Sequence, residues 1–265
     1  MRIKNIASGS SGNATYIGTE TTHILVDCGI PKKRIIEGLE EAELSLSDID
    51  AVLVTHEHWD HISGLGVLER SRHIPLFTTK GTFDGISRTK NAGEFDRSVF
   101  TPVGAGEEFS IGDIRVKALG TFHDAAEPVC YKFSSGGKTA AIVTDLGDYD
   151  EALVKELAGL DGILLEANHD VRMLQAGRYP YSLKQRILGR YGHLSNESSG
   201  RLLNRILHDE MKYILLGHVS HENNTRELAR LAVETEIEMA DNPYRKGDFE
   251  IKVASRSQTS LLAEF

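Results

Sequence analysis

The sequence predicts a mixed α/β fold of the α+β kind, and three features predict it. Short apolar runs rich in β-branched residues alternate with stretches of helical periodicity; a helix bundle or a pure β-sandwich would not show that alternation. With 265 residues, a hydrophobic share of 40% and 25 glycines, the chain can bury a sizeable core as one large domain or two small ones. The two halves also echo each other. ILVDCG, a helix and DIDAVLVTHEH in the first half are answered by AIVTDLG, a helix and GLDGILLEANH in the second. Aligning Asp50 with Asp161 superposes His58 on His169. The expectation is one domain, residues 1–265, of two similar halves, roughly 1–120 and 121–265, with strand ends rich in Asp and His along one edge.

The elements follow from local patterns. Ile3 to Ala7, Ala14 to Ile17, His23 to Val26 and Ala51 to Val54 read as strands. Between the last two, Ile35, Ile36, Leu39 and Ala42 fall at helical spacing behind Pro31, so residues 31–42 read as a helix with proline near its first turn. Glu107 to Ala118 and Val129 to Ala141 read as antiparallel hairpins, the second turning at Gly136 and Gly137. Glu151 to Ala158 is the helix of the second half, and a further helix is expected to begin near Ser63.

Composition removes several classes. No apolar run approaches the roughly 18 residues that span a bilayer, and the N-terminal MRIKNIASGS has neither an apolar h-region nor a cleavage pattern. A cytoplasmic protein without membrane partners is the expectation. Cys28 and Cys130 are too few for a disulfide framework or a cysteine zinc site and read as small core residues. The net charge of −9 argues against nucleic-acid binding driven by overall charge, yet leaves room for a local basic face. One segment offers such a face: between Val171 and Arg190 the chain carries Arg172, Arg178, Lys184, Arg186 and Arg190 and no acidic residue.

The sharpest chemical signal is THEHWDHISGLG, Thr55 to Gly66. His56 and His58 are two apart, so on an extended segment both imidazoles point to one side and can bind one metal. Asp60 and His61 follow where the chain turns toward the next helix, aimed at a neighbouring point, so two adjacent metal sites are the natural reading. Further ligands are offered where apolar runs end: His123 after VKALGTF, Asp145 after TAAIVT and His218 after KYILLG. Side chains at strand ends are held rigidly. Two divalent cations about 3.5 to 4 Å apart generate hydroxide near neutral pH and clamp the attacking and leaving oxygens, which is hydrolase chemistry. Histidine and carboxylate donors accommodate zinc, manganese or iron alike.

With these motifs the chain resembles the metallo-β-lactamase-fold superfamily, whose HxHxDH motif is matched by His56, His58, Asp60 and His61. The remaining family motifs fall in order at Asp27 in LVDCG, His123, Asp145, and His218 in GHVS. The resemblance implies a four-layer αββα sandwich. It implies one metal held by His56, His58 and His123, and a second by Asp60, His61 and His218. Asp145 would bridge them, Asp27 would orient ligands without binding metal, and Asp60 would position the hydroxide. His221, three residues beyond His218, stays open as the last ligand.

Within that superfamily the bridging position is Asp145 rather than the cysteine common in zinc β-lactamases, which points away from antibiotic hydrolysis. LLEANHD and GHLSNESSG resemble paired motifs of the tRNA-processing ribonucleases, with Leu165 standing where those have a histidine before Glu166. ASGSSGNATYI, LVDCG, THEHWDHISGL, LEANHD, GHLSNE and LGHVSHENNTRELA together resemble the YycJ/WalJ group, from residue 7 to about 229. That resemblance implies a 5′-to-3′ DNA exonuclease acting on single strands or free 5′ ends. The alternative is a hydrolase of a small phosphodiester or, as in glyoxalases, of a thioester.

His193 is the candidate proton donor to the leaving oxygen, with His169 sharing the role or orienting it. Arg178 and Arg190, in the basic segment between those histidines, are candidate phosphate contacts, and Tyr179 and Tyr181 can stack on unpaired bases. His221, Asn223 and Asn224 either contact phosphate or cap the helix beginning near Thr225. The loop Ser8 to Asn13 is either a plain turn or a lip offering backbone N–H groups to phosphate.

Overall fold

A computed structural model describes residues 1–265, and the chain divides into two compact units. Unit 1 comprises residues 1–120, 125–137 and 255–264; unit 2 comprises residues 121–124, 138–254 and 265.

Unit 1 opens with β1 (Arg2–Ala7), β2 (Ala14–Gly18) and β3 (His23–Val26), paired antiparallel, followed by α1 (Lys32–Glu40) and β4 (Ala51–Leu53). Next come α2 (Trp59–Ile62), α3 (Leu65–Ser71), β5 (Leu76–Thr78), α4 (Lys80–Arg88) and β6 (Phe100–Pro102). Strands β3 to β6 run parallel, and the C-terminal pair Ala263–Glu264 closes the far edge against β1, giving seven strands. The helix expected from Pro31 starts one residue later, with Pro31 in the extended backbone just before it. Ile35, Gly38 and Leu39 form its buried face, and Ile35 and Leu39 join Ile6, Tyr16, Leu25, Val52, Ile62 and Leu68 in one apolar core. β7 (Glu108–Ile111), β8 (Ile114–Gly120) and β9 (Val129–Ser135) follow as an antiparallel meander.

Unit 2 is built on four parallel strands, β10 (Lys138–Val143), β11 (Gly162–Glu166), β12 (Tyr213–Gly217) and β13 (Ile251–Val253). Both β11 and β12 are buried throughout, which is why they read as continuous apolar runs rather than alternating ones. Its helices are α5 (Glu151–Leu157), α6 (Val171–Ala176), α7 (Tyr181–Leu188), α8 (Asn196–Ile206) and α9 (Arg226–Met239). Helix α8 buries Leu202, Leu203 and Ile206, about 2 kcal/mol of transfer free energy for each. It lies so close to α9 that a Cβ on Gly200 would fall 2.6 Å from Glu236 Cβ.

Both cysteines are buried and unbridged, and burial pushes the Cys130 thiol up to about 12, so neither is a ready nucleophile or ligand. No helix is long and apolar enough to cross a membrane.

Candidate metal centre

In unit 1 the ligand loop is held from three sides. Strand β4 delivers Thr55 and His56 at its end, and His58 stands at the start of the single helical turn α2, so that His61 folds back. His56 Nε2 lies 3.1 Å from His58 Nδ1, and the His56 and His61 ring centres are 4.1 Å apart. Asp27 lies beneath them. Its carboxylate accepts from the Thr55 N–H (2.9 Å) and lies 2.8 Å from His61 Nδ1. That contact favours the His61 proton on Nδ1, which makes Nε2 the candidate ligand atom. Asn13, in the β1–β2 loop, lies against the same nitrogen, its Nδ2 3.0 Å from His61 Nε2, while its backbone N–H donates to Asp60 O at 2.8 Å. The turn is so tight that a Cβ on Gly29 would fall 1.6 Å from Asp60 O.

Helix α4 backs the loop. Glu57, between the two histidines, accepts from the Ala126 N–H at 2.8 Å. A Cβ on Gly85 would lie 2.7 Å from Glu57 Cγ and 3.1 Å from its Cβ. A mid-helix glycine costs about 1 kcal/mol relative to alanine; here it makes room for that carboxylate.

In unit 2 the candidate ligand groups come from four separate places, three of them aligned by strand register. Val143 pairs with Leu165 and Leu165 with Leu216, so β10, β11 and β12 end side by side and project Asp145, Glu166 and His218 from one edge. His193, from the loop before α8, joins them, and ligand atoms of Asp145, Glu166, His193 and His218 all lie within 4.8 Å of one another. His218 Nδ1 is 3.2 Å from Asp145 Oδ2, and His193 Nδ1 is 2.7 Å from Glu166 Oε1. Glu166 is fully buried, and desolvation pushes its carboxyl above the usual range against the opposing pull of His193. His123 donates from Nδ1 to Gly192 O at 3.0 Å, and its Nε2, the candidate ligand atom, lies 3.8 Å from Asp145 Oδ1. Imidazole nitrogens with their second nitrogen anchored, beside buried carboxylates, are the donor set a divalent cation requires, so both ligand sets fit one.

Asp27, Asp145 and His218 share an unusual backbone, with φ of 59°, 61° and 51°. Left-handed backbone is uncommon for residues other than glycine, and each of these sits directly where a strand ends.

Residues 22–215 match the Beta-lactamase superfamily domain. The chain belongs to the β-lactamase superfamily. It is 40% identical over 238 residues to the exodeoxyribonuclease YycJ of Bacillus anthracis, covering 90% of this chain and 89% of the relative. It is also 40% identical over 236 residues to the exodeoxyribonuclease WalJ of Streptococcus pneumoniae, covering 89% and 88%. The crystal structure of the metallo-β-lactamase fold protein YhfI from Bacillus subtilis superposes with a TM-score of 0.71 at 16% identity, covering 98% of each chain. The chain therefore has the metallo-β-lactamase fold, an α/β sandwich, and as a superfamily member it is a hydrolase.

Against this superfamily background the remaining residues sort by position. His218 is buried at the end of β12, whereas the His221 side chain is 71% exposed and 3.0 Å from Glu222. Asn223 is buried, with its Oδ1 against Gly177, where a Cβ would fall 2.4 Å away. Asn224 bonds the backbone of Ala167 and Asn168 and pairs with Asn196, while Thr225 caps α9. His169 is buried, and desolvation lowers its pKa to about 4, so it is neutral near pH 7. Arg178 is exposed, and Arg190 lies 3.3 Å from Asp148 with its guanidinium 4.2 Å over the Phe122 ring.

Two residues of the clusters were not singled out from the sequence. Glu166 was legible only as part of LEANHD; its signal is a carboxylate closing a wholly apolar strand, which no core strand carries without a partner. Asn13 sat in a Ser/Gly loop read for its backbone, although an asparagine ending such a loop can bond across it, as it does here to Gly9 N.

Proposed function

We propose that this hydrolase is a metal-dependent DNA exonuclease working from 5′ ends, with His56, His58, Asp60 and His61 of unit 1 and His123, Asp145 and His218 of unit 2 as ligands for two divalent ions. The observation that carries the DNA assignment is the 40% identity over nine-tenths of the chain to an exodeoxyribonuclease. Zinc, manganese or iron suits the donors, and a cytoplasmic location suits such an enzyme. Divalent ions, once held by these residues, would supply a water of lowered pKa and positive charge for the scissile phosphate.

The chain's own groups do the rest. Asp60 orients the attacking water. Asp27 holds His61 in one tautomer through the 2.8 Å contact to its Nδ1. His193, held on Glu166 through Nδ1, points Nε2–H at the leaving oxygen and gives up its proton, while the buried carboxylate steadies the imidazolium. His169, neutral and buried, supports the loop that carries His193 through its backbone, which bridges Ser195 and accepts the Asn196 N–H at 2.9 Å.

The test is degradation of 5′-labelled and 3′-labelled single-stranded and double-stranded DNA by metal-reconstituted protein, with Asp60→Ala as control. Stepwise release from the 5′ end, abolished in the variant, is the expected result. Metal-loaded protein that leaves DNA intact but cleaves a small phosphodiester or a thioester would overturn it.

A further inference from the structure

Helix α7 stands out because none of its eight residues is buried. A surface helix ordinarily buries an apolar stripe, yet here Tyr181 is 77% exposed and Leu188 38%, and Tyr191 just beyond is 54% exposed. The helix lies within the stretch from Val171 to Arg190, which holds five cations and no carboxylate in a chain of net charge −9.

This surface is built directly onto the unit 2 ligands. The His193 N–H donates to Ile187 O at 3.0 Å, and the carbonyl that fixes His123 belongs to Gly192. Arg186 grips Asp124, the residue after His123, through both Nε and Nη2. Arg190 is held by Asp148 and by the Phe122 ring, whose centre is 6.1 Å from that of Tyr191 at 70°. A Cβ on Gly147 would fall 2.5 Å from Arg190 O and Gly192 N, so the segment is wedged in place. Arg186 and Arg190 each keep about half of their side-chain surface exposed, at 52% and 56%. A ligand lying along α7 is thereby led to His193.

We infer that α7 with Tyr191 is a grip for unpaired nucleotides, in which Tyr181 and Tyr191 stack on bases while Arg178, Arg186 and Arg190 face the flanking phosphates. This rests on the DNA reading above and deepens it. Charge selects the occupant: Asp124 and Asp148 orient Arg186 and Arg190, yet both guanidinium groups keep about half of their side-chain surface open and, with the exposed Arg178, suit a polyanion. The exposed rings select single strands, since a duplex hides its base faces within the stack.

The experiment measures binding in the Asp60→Ala background of a single-stranded oligonucleotide and of an abasic strand of equal length and charge. The base-bearing strand should bind at least about tenfold more tightly, the scale of one or two base-aromatic stacks. Tyr181→Ala with Tyr191→Ala should erase that difference while leaving the salt dependence in place, and Tyr181→Phe with Tyr191→Phe should restore it. Equal affinity for both strands, or a preference that survives the alanine pair, overturns the grip while native protein that still degrades DNA keeps the exonuclease reading. Native protein that neither binds nor degrades DNA overturns both.

Discussion

The two units assemble their ligands in opposite ways. Unit 1 offers the candidate ligands His56, His58, Asp60 and His61 from one short loop, so their spacing is local although Asp27 and Asn13 steady it from a distance. Unit 2 gathers the candidate ligands Asp145 and His218, with Glu166 and His193 beside them, from four segments between residues 145 and 218; the parallel register of β10, β11 and β12 aligns three strand ends, and the loop before α8 adds His193. Ligands of the first kind are written as a motif. Ligands of the second kind are written as strand ends, each unremarkable alone, which gather because open parallel sheets collect function at the C-terminal edge.

The largest effects should come from the ligands themselves. His58→Ala and His218→Ala should each lower bound metal, measured by elemental analysis, and cut turnover by about a thousandfold, the upper range for removing one preorganised electrostatic group. His221→Ala should leave both close to native. The reverse ranking of His218 and His221 would break the account of unit 2.

Next in size is the Glu166–His193 pair. Glu166→Gln and His193→Ala should each slow turnover about a hundredfold, the lower range for a positioned acid, and the double variant should be little worse than either. Full additivity would show that the two residues act separately.

In unit 1 the corresponding support is the close fit of Glu57 on α4. Gly85→Ala should cost about 1–3 kcal/mol of stability through overpacking and weaken metal binding at His56 and His58. Unchanged metal affinity, read by titration against a chelator, would show that α4 merely backs the loop.

The smallest effect concerns His169. Its pKa is lowered to about 4 in the fold, against an ordinary 6.5, so protons bind the unfolded chain preferentially between those values. Stability should therefore fall as pH drops from about 6.5 towards 4, and His169→Gln should flatten that part of the urea midpoint curve. An identical slope in both proteins would remove His169 as its source.

Much of this was readable from sequence, and the physics separates what was from what was not. β1 to β3, α1 and the β7–β8 hairpin carry strong periodicity or turn chemistry and lie within a residue or two of expectation. β5 and β6 are three residues each, too short for any period to show, and α4 is masked by Gly81 and Gly85 in its interior. The helix expected near Ser63 is split into the turn α2 and helix α3, because the HxHxDH segment itself supplies the first turn. The candidate ligand types and their order are visible in the sequence; the neighbours that touch them, Asn13 and Glu166, depend on long-range closure that no local pattern encodes. The segment holding α7 reads from sequence as a local basic face, and none of the helix's residues is buried.

The left-handed backbone at Asp27, Asp145 and His218 sets this enzyme's stability against its chemistry. Glycine would occupy each of those positions with less strain, by about 1 kcal/mol, and would erase a ligand or its support each time. Selection for a sturdier fold alone would thus favour an inert protein at three strand ends. The acidic and imidazole groups at those three turns are explained by the proposed site and not by the needs of the fold.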